Sequence, residues 1–185
     1  MTFPTFSTGE VLTSAAMNAV GLWLIHDETV GNSVSSFTPA SAVFSTDYDD
    51  YLITYTGGTN SAKGDLGLIL GSTTSGYVHN VIYTAWSNSP TVAAAGAVSG
   101  TGGASWVRAG VADTNGNYLR LDIASPFLAK RTVAWGAFIG VDSDRVGGSF
   151  AGYLANTTSY TNFTITPSTG TMTGGVVRVF GYNKG

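Results

Sequence analysis

Through most of the chain, apolar and polar residues exchange places at every second position. In DYLITYT (50–56), Tyr51, Ile53 and Tyr55 share one face; in DLGLIL (65–70), Leu66, Leu68 and Leu70 do the same. In NYLRLDI (117–123), Leu119, Leu121 and Ile123 alternate with Tyr118, Arg120 and Asp122. A period of two is the mark of a strand with one face buried. RTVAWGAFIGV (131–141) is apolar on both faces, with Val133, Trp135, Ala137, Ile139 and Val141 on one side and Phe138 among small residues on the other. That pattern predicts a central strand covered on both sides. YTNFTIT (160–166) and GGVVRVFGYN (174–183) complete the series, and in the latter Val177 and Val179 are expected to point inward while Arg178 stays near water. Turns are expected at 57–64, 71–76, 100–103, 113–117 and 167–175, where Gly, Asn and Ser supply positive φ or side-chain caps.

The first 21 residues differ. Phe3, Pro4 and Phe6 form an extended lead, Thr13 is a good N-cap for a helix over 14–20, and Gly21 suits its end. Two helical turns are marginal alone in water, so this piece needs a surface to lie on. The chain therefore divides into an arm with a short helix (1–21) and a β-domain (22–185). About ten short strands with regularly spaced turns predict an all-β, antiparallel β-sandwich, with a jelly roll as the expected topology and a β-barrel as the fallback. No repeat of fixed period points to a propeller or solenoid.

Composition sharpens this picture. Charged residues are 10% of the 185, hydrophobic residues 43%, and the net charge is −3. A surface made of Ser, Thr, Asn and Gly provides little repulsion between copies, so self-association is expected. The small-residue stretch VAAAGAV (92–98) would let chains approach closely. Eight scattered Lys and Arg form no run suited to a phosphate backbone, which argues against nucleic acid. There is no cysteine, no stretch approaching the ~20 apolar residues of a membrane span, and no basic-then-apolar leader at MTFPTFSTGE. Synthesis in a cytoplasm, without membrane insertion, is the expectation.

Chemistry is sparse. His26 and His79 have no metal-type spacing and read as partly exposed strand histidines. No GxSxG elbow supports a serine nucleophile. Asp142 with Asp144, and Asp47 with Asp49 and Asp50, are the only acid clusters that could serve a glycosidase pair, and both read better as polar strand ends. DTNGN (113–117) resembles part of a calcium loop but lacks its remaining ligands, so a hairpin turn is expected. NTT and NFT are chance glycosylation matches. The sequence thus predicts no catalytic, metal or cofactor-binding residue. Trp86 and Trp106 flank loops and are candidates for stacking on a sugar, set against the alternative of a core or subunit-contact role.

Two motifs carry a resemblance. Gly9, Glu10, Val11, Leu12, Thr13, Ala15, Ala16 and Asn18 are similar to an N-terminal segment of virion structural and tail-fibre-like proteins of tailed bacteriophages. Gly170-Thr171-Met172-Thr173-Gly174-Gly175, with Val177, Val179, Phe180, Gly181 and Tyr182, resembles the terminal strand of the same group. The resemblance implies a β-sandwich appendage of the virion, commonly a homotrimer. It would be docked on other virion proteins by its arm, with Phe3, Pro4, Phe6, Leu12 and Met17 as the docking side chains, and a host surface glycan is a further partner that the resemblance allows. A capsid decoration protein and a carbohydrate-binding or carbohydrate-active protein are the alternatives, separated by copy number per particle and by a defended acid pair.

Overall fold

The computed structural model describes Gly9 and residues 21–84, 92–97, 102–140 and 147–184, with backbone alone for 92–97. The predicted helix over 14–20 lies outside these residues. Within them the chain is all-β, with thirteen strands: β1 (Leu22–Thr29), β2 (Asp50–Thr56), β3 (Thr59–Asn60), β4 (Gly64–Leu70), β5 (Tyr77–Thr84), β6 (Val92–Ala97), β7 (Trp106–Ala112), β8 (Tyr118–Ala124), β9 (Val133–Ile139), β10 (Gly147–Leu154), β11 (Phe163–Pro167), β12 (Met172–Thr173) and β13 (Val176–Tyr182).

Eleven strands form one curled antiparallel sheet. Its long path runs β1-β13-β2-β8-β9-β10-β5-β6, and β11-β4-β7 joins it where β7 pairs with the start of β8 through Gly110–Leu119 and Val111–Tyr118. The three strands fold over the long path in the manner of a sandwich, and β3 pairs with β12 as a separate ribbon. The alternation explains the layering. Tyr51, Ile53 and Tyr55 of β2, Leu119, Leu121 and Ile123 of β8, and Val177 and Val179 of β13 are all fully buried, as are Leu66, Leu68 and Leu70 of β4 opposite them. These residues belong to one core cluster, closed by Phe44, Phe163, Ile165 and Met172.

The C-terminal motif has a physical reason. Met172 is buried, and Gly174 and Gly175 turn the chain into β13 with φ of 64° and 80°, a left-handed region that glycine enters without a Cβ penalty. The Tyr55 hydroxyl donates to Gly174 O at 2.9 Å and ties this turn to the centre of the sheet. The 113–117 segment is the hairpin turn between β7 and β8: Asn115 N donates to Asp113 Oδ1 and Asp113 N to Asn117 Oδ1, each at 3.0 Å. Both side-chain oxygens hold the turn itself.

Strand β9 departs from expectation. Ala134 and Phe138 are buried, but Val133, Trp135, Ala137 and Ile139 face solvent. The strand is central in its sheet yet covered on one side only, because β11-β4-β7 closes only the inner face.

Candidate functional site

The uncovered face of β9 continues across its neighbours. Register places Val133 beside Tyr153 and Tyr153 beside Val78; Trp135 stands beside Ala151 and then Asn80; Ala137 stands beside Ser149 and then Ile82. Val133, Trp135, Ile139, Tyr153 and Ile82 are 44, 46, 43, 38 and 52% exposed. In an antiparallel sheet such neighbours are in side-chain contact range, so the exposed rings and branches form one patch. A groove of about 680 Å³ runs through it, lined by Val78, Val133, Trp135, Ala151 and Tyr153, with Arg131 at its rim. The Arg131 guanidinium lies 5.6 Å from the centre of the Tyr153 ring, where it covers one aromatic face and keeps a positive charge beside the groove. Farther along the same row, Trp135 leads through Asp122 and Leu52 to Phe180 and the exposed Leu24 of β1. That half is more polar: Tyr182 donates to Asp122, and its hydroxyl pKa is pushed up to about 12 by burial and then by that carboxylate.

The inner side of the same strands is packed. Trp106 is fully buried, which corrects its reading as a sugar-stacking ring: it meets Tyr77 edge-on at 5.3 Å and Phe150 at 6.3 Å, and its Nε1 donates to Tyr153 O at 3.3 Å. Gly152 makes this possible, since a Cβ there would sit 3.0 Å from Trp106 Nε1 and 2.7 Å from Val78 O. His79 is also buried, contrary to the expectation of partial exposure, and stacks on Phe150 at 5.7 Å. Burial, and then the Arg108 charge, hold its pKa below the ordinary value. Arg108 itself sits at a β-bulge between β4 and β7 with φ of 63°, donating to Asp65 at 3.2 Å and covering the Tyr83 ring at 5.4 Å.

The remaining polar residues serve the fold. His26 Nε2 and Glu28 Oε2 are 2.9 Å apart, and Ser41 Oγ is 3.5 Å from His26 Nδ1. Glu28 Oε2 also accepts from Ala40 N at 2.9 Å, so this exposed chain of contacts fastens 40–41 to β1. A contact of 3.5 Å is too long to activate a hydroxyl. Asp49 pairs with Lys184 at 2.8 Å, Asp47 accepts from Ser45 Oγ at 3.0 Å, and Asp50 has a raised pKa from burial and then from the Asp49 charge. Among the described residues no three His, Cys, Asp or Glu gather as a metal site, and no helix is long and apolar enough to cross a membrane.

Of the side chains singled out from the sequence, Phe3, Pro4, Phe6, Leu12, Met17, Trp86, Asp142 and Asp144 lie outside the described residues. Trp135, Ile82 and Tyr153 are the ones sequence reasoning missed. Their signal was present in β10, where Gly148, Phe150, Gly152 and Leu154 alternate with Ser149, Ala151 and Tyr153, but alternation alone does not say that the second set lacks a cover. No protein-family model, curated protein or solved structure matches the chain.

Proposed function

We propose that this chain is a structural protein of a bacteriophage virion, a non-enzymatic tail or fibre-type appendage that assembles as a homotrimer and attaches through residues 1–20. The observation that carries the reading is the open apolar face of β9, β10 and β5. Water-exposed apolar patches beyond a few hundred Å² mark sites of association, and this one stands on a chain with 10% charged residues. A second copy is the occupant that fits. The three strands of the patch, each seven or eight residues long, project roughly 350 Å² from the usual strand spacing and rise, the scale at which an exposed apolar patch is commonly functional.

The finer topology we propose is a jelly roll carrying two inserts. In that scheme β1-β13-β2-β8 forms one four-strand layer. The other is the segment at Phe37 with β11, β4 and β7, supported by the Phe37–Ile165 bridge. Strands β5–β6 and β9–β10 are then insertions that extend the first layer, and among the described side chains those of β5, β9 and β10 build the apolar patch. A folding frame with an association surface added at its edge suits an assembly module, and the two sequence motifs described above agree with a virion setting.

The test is quantitative mass spectrometry of purified particles. A few to a few dozen copies per particle support the appendage, hundreds would make it a capsid decoration protein instead, and absence from particles would overturn the virion reading.

A further inference from the structure

Resting on that trimeric reading, we infer that the groove of Val133, Trp135 and Tyr153 receives residues 3–12 of the neighbouring copy's N-terminal arm, leaving the rest of the arm to attach the trimer to the particle. Chemistry, charge and placement agree on this occupant. The arm is apolar and aromatic at Phe3, Phe6, Val11 and Leu12, matching a groove walled by Trp135, Tyr153 and valines. Its one charged side chain is Glu10, and the groove rim carries Arg131. A carboxylate against a guanidinium would set the direction and register of an otherwise greasy contact.

Placement favours the neighbour over the arm's own groove. The arm joins the body at Gly21, whose carbonyl accepts from Asn183 N, and β1 is the edge strand at one end of the long sheet path. The groove lies toward the other end, five strand spacings away, or about 24 Å. An arm turning back on its own sheet would cross the polar strip of Asp122, Tyr182 and Arg120. From the opposite edge, β6, the groove strand β10 is only two spacings away, or about 10 Å. If the β1 edge of each copy approaches the β6 edge of the next, the arm reaches the groove without that crossing. Such head-to-tail contact forms a ring where the rotation between copies closes, and a trimer is a ring of this kind. Twenty residues extended span up to ~66 Å, so length imposes no limit.

The chain has no cysteine, which allows a clean test. Full-length Phe6→Cys and Val133→Cys proteins, each with a single thiol, are mixed, dissociated, reassembled and mildly oxidised; Ser72→Cys, on an exposed turn away from the groove, replaces Val133→Cys as control. Phe3→Cys and Leu12→Cys repeat the experiment to cover a shift in register. The inference predicts a Phe6–Val133 heterodimer band, or one from Phe3 or Leu12, at least fivefold above the Ser72 control, and covalent ladders up to three chains from the doubly substituted protein. Glu10→Lys should reduce the yield, and Arg131→Glu combined with it should restore it. Sedimentation of the same samples separates the two levels. A trimer that gives no excess crosslink at any arm position overturns the arm inference and leaves the trimer standing. A doubly substituted protein that closes only on itself, as a faster-migrating monomer, overturns the exchange between copies. A monomer overturns both.

Discussion

Two tryptophans on adjacent layers illustrate how side-chain environment decides role. Trp106 is enclosed by Tyr77, Phe150 and the space left by Gly152, so Trp106→Ala should cost about 3–5 kcal/mol of stability, measured by denaturant unfolding. Trp135 is 46% exposed, and Trp135→Ala should change the stability of the isolated chain by less than about 1 kcal/mol while weakening association. The reverse ranking would place the wrong ring in the core. His79 adds a dependence on pH. Its pKa in the folded chain lies below the ordinary 6.5, so the unfolded chain binds a proton that the folded chain refuses. The stabilisation is complete above pH ~6.5 and declines as the pH falls from there toward the depressed folded value, at no more than about 1.4 kcal/mol per pH unit. Melting temperatures of wild type and His79→Gln should therefore converge between pH 7 and 5, with the wild type losing more than the variant. Parallel curves would contradict a buried neutral imidazole at this position.

At the scale of the strand, β13 tests the register. Val179 lies between Ile53 and His26 on its two neighbours and is fully buried, so Val179→Asp places an uncompensated charge in the core and should cost about 3 kcal/mol or more. A variant with wild-type melting would contradict the pairing. The inward residues of β2, β4, β8 and β13 were legible because one apolar face alternated with one polar face, and period alone assigns such a strand. β9 was not legible in the same way. With Val133, Trp135 and Ile139 on one face and Phe138 on the other, both faces look buried, and only the positions of β4, β7 and β11 reveal which is covered. Trp106 follows the same logic: the glycines before it look like a loop, but Gly152, far away in sequence, makes the space that buries it. The patch was thus visible as residues and invisible as a surface, since its openness depends on layers assembled from distant segments.

At the scale of the whole molecule, the proposed trimer has copies of the chain cover for one another the apolar face that β9, β10 and β5 leave open among the described residues. Because the patch is apolar and the chain is poor in charge, association should change little when salt rises from 0.05 to 0.5 M, unlike a charge-driven contact, which is screened. Sedimentation equilibrium on wild type and Trp135→Glu, with circular dichroism to establish that both are folded, measures whether this face holds the copies together. The expected result is a wild-type trimer at micromolar concentration and a folded monomer for Trp135→Glu. A monomeric wild type, or a Trp135→Glu protein that trimerises as strongly as wild type, would contradict it.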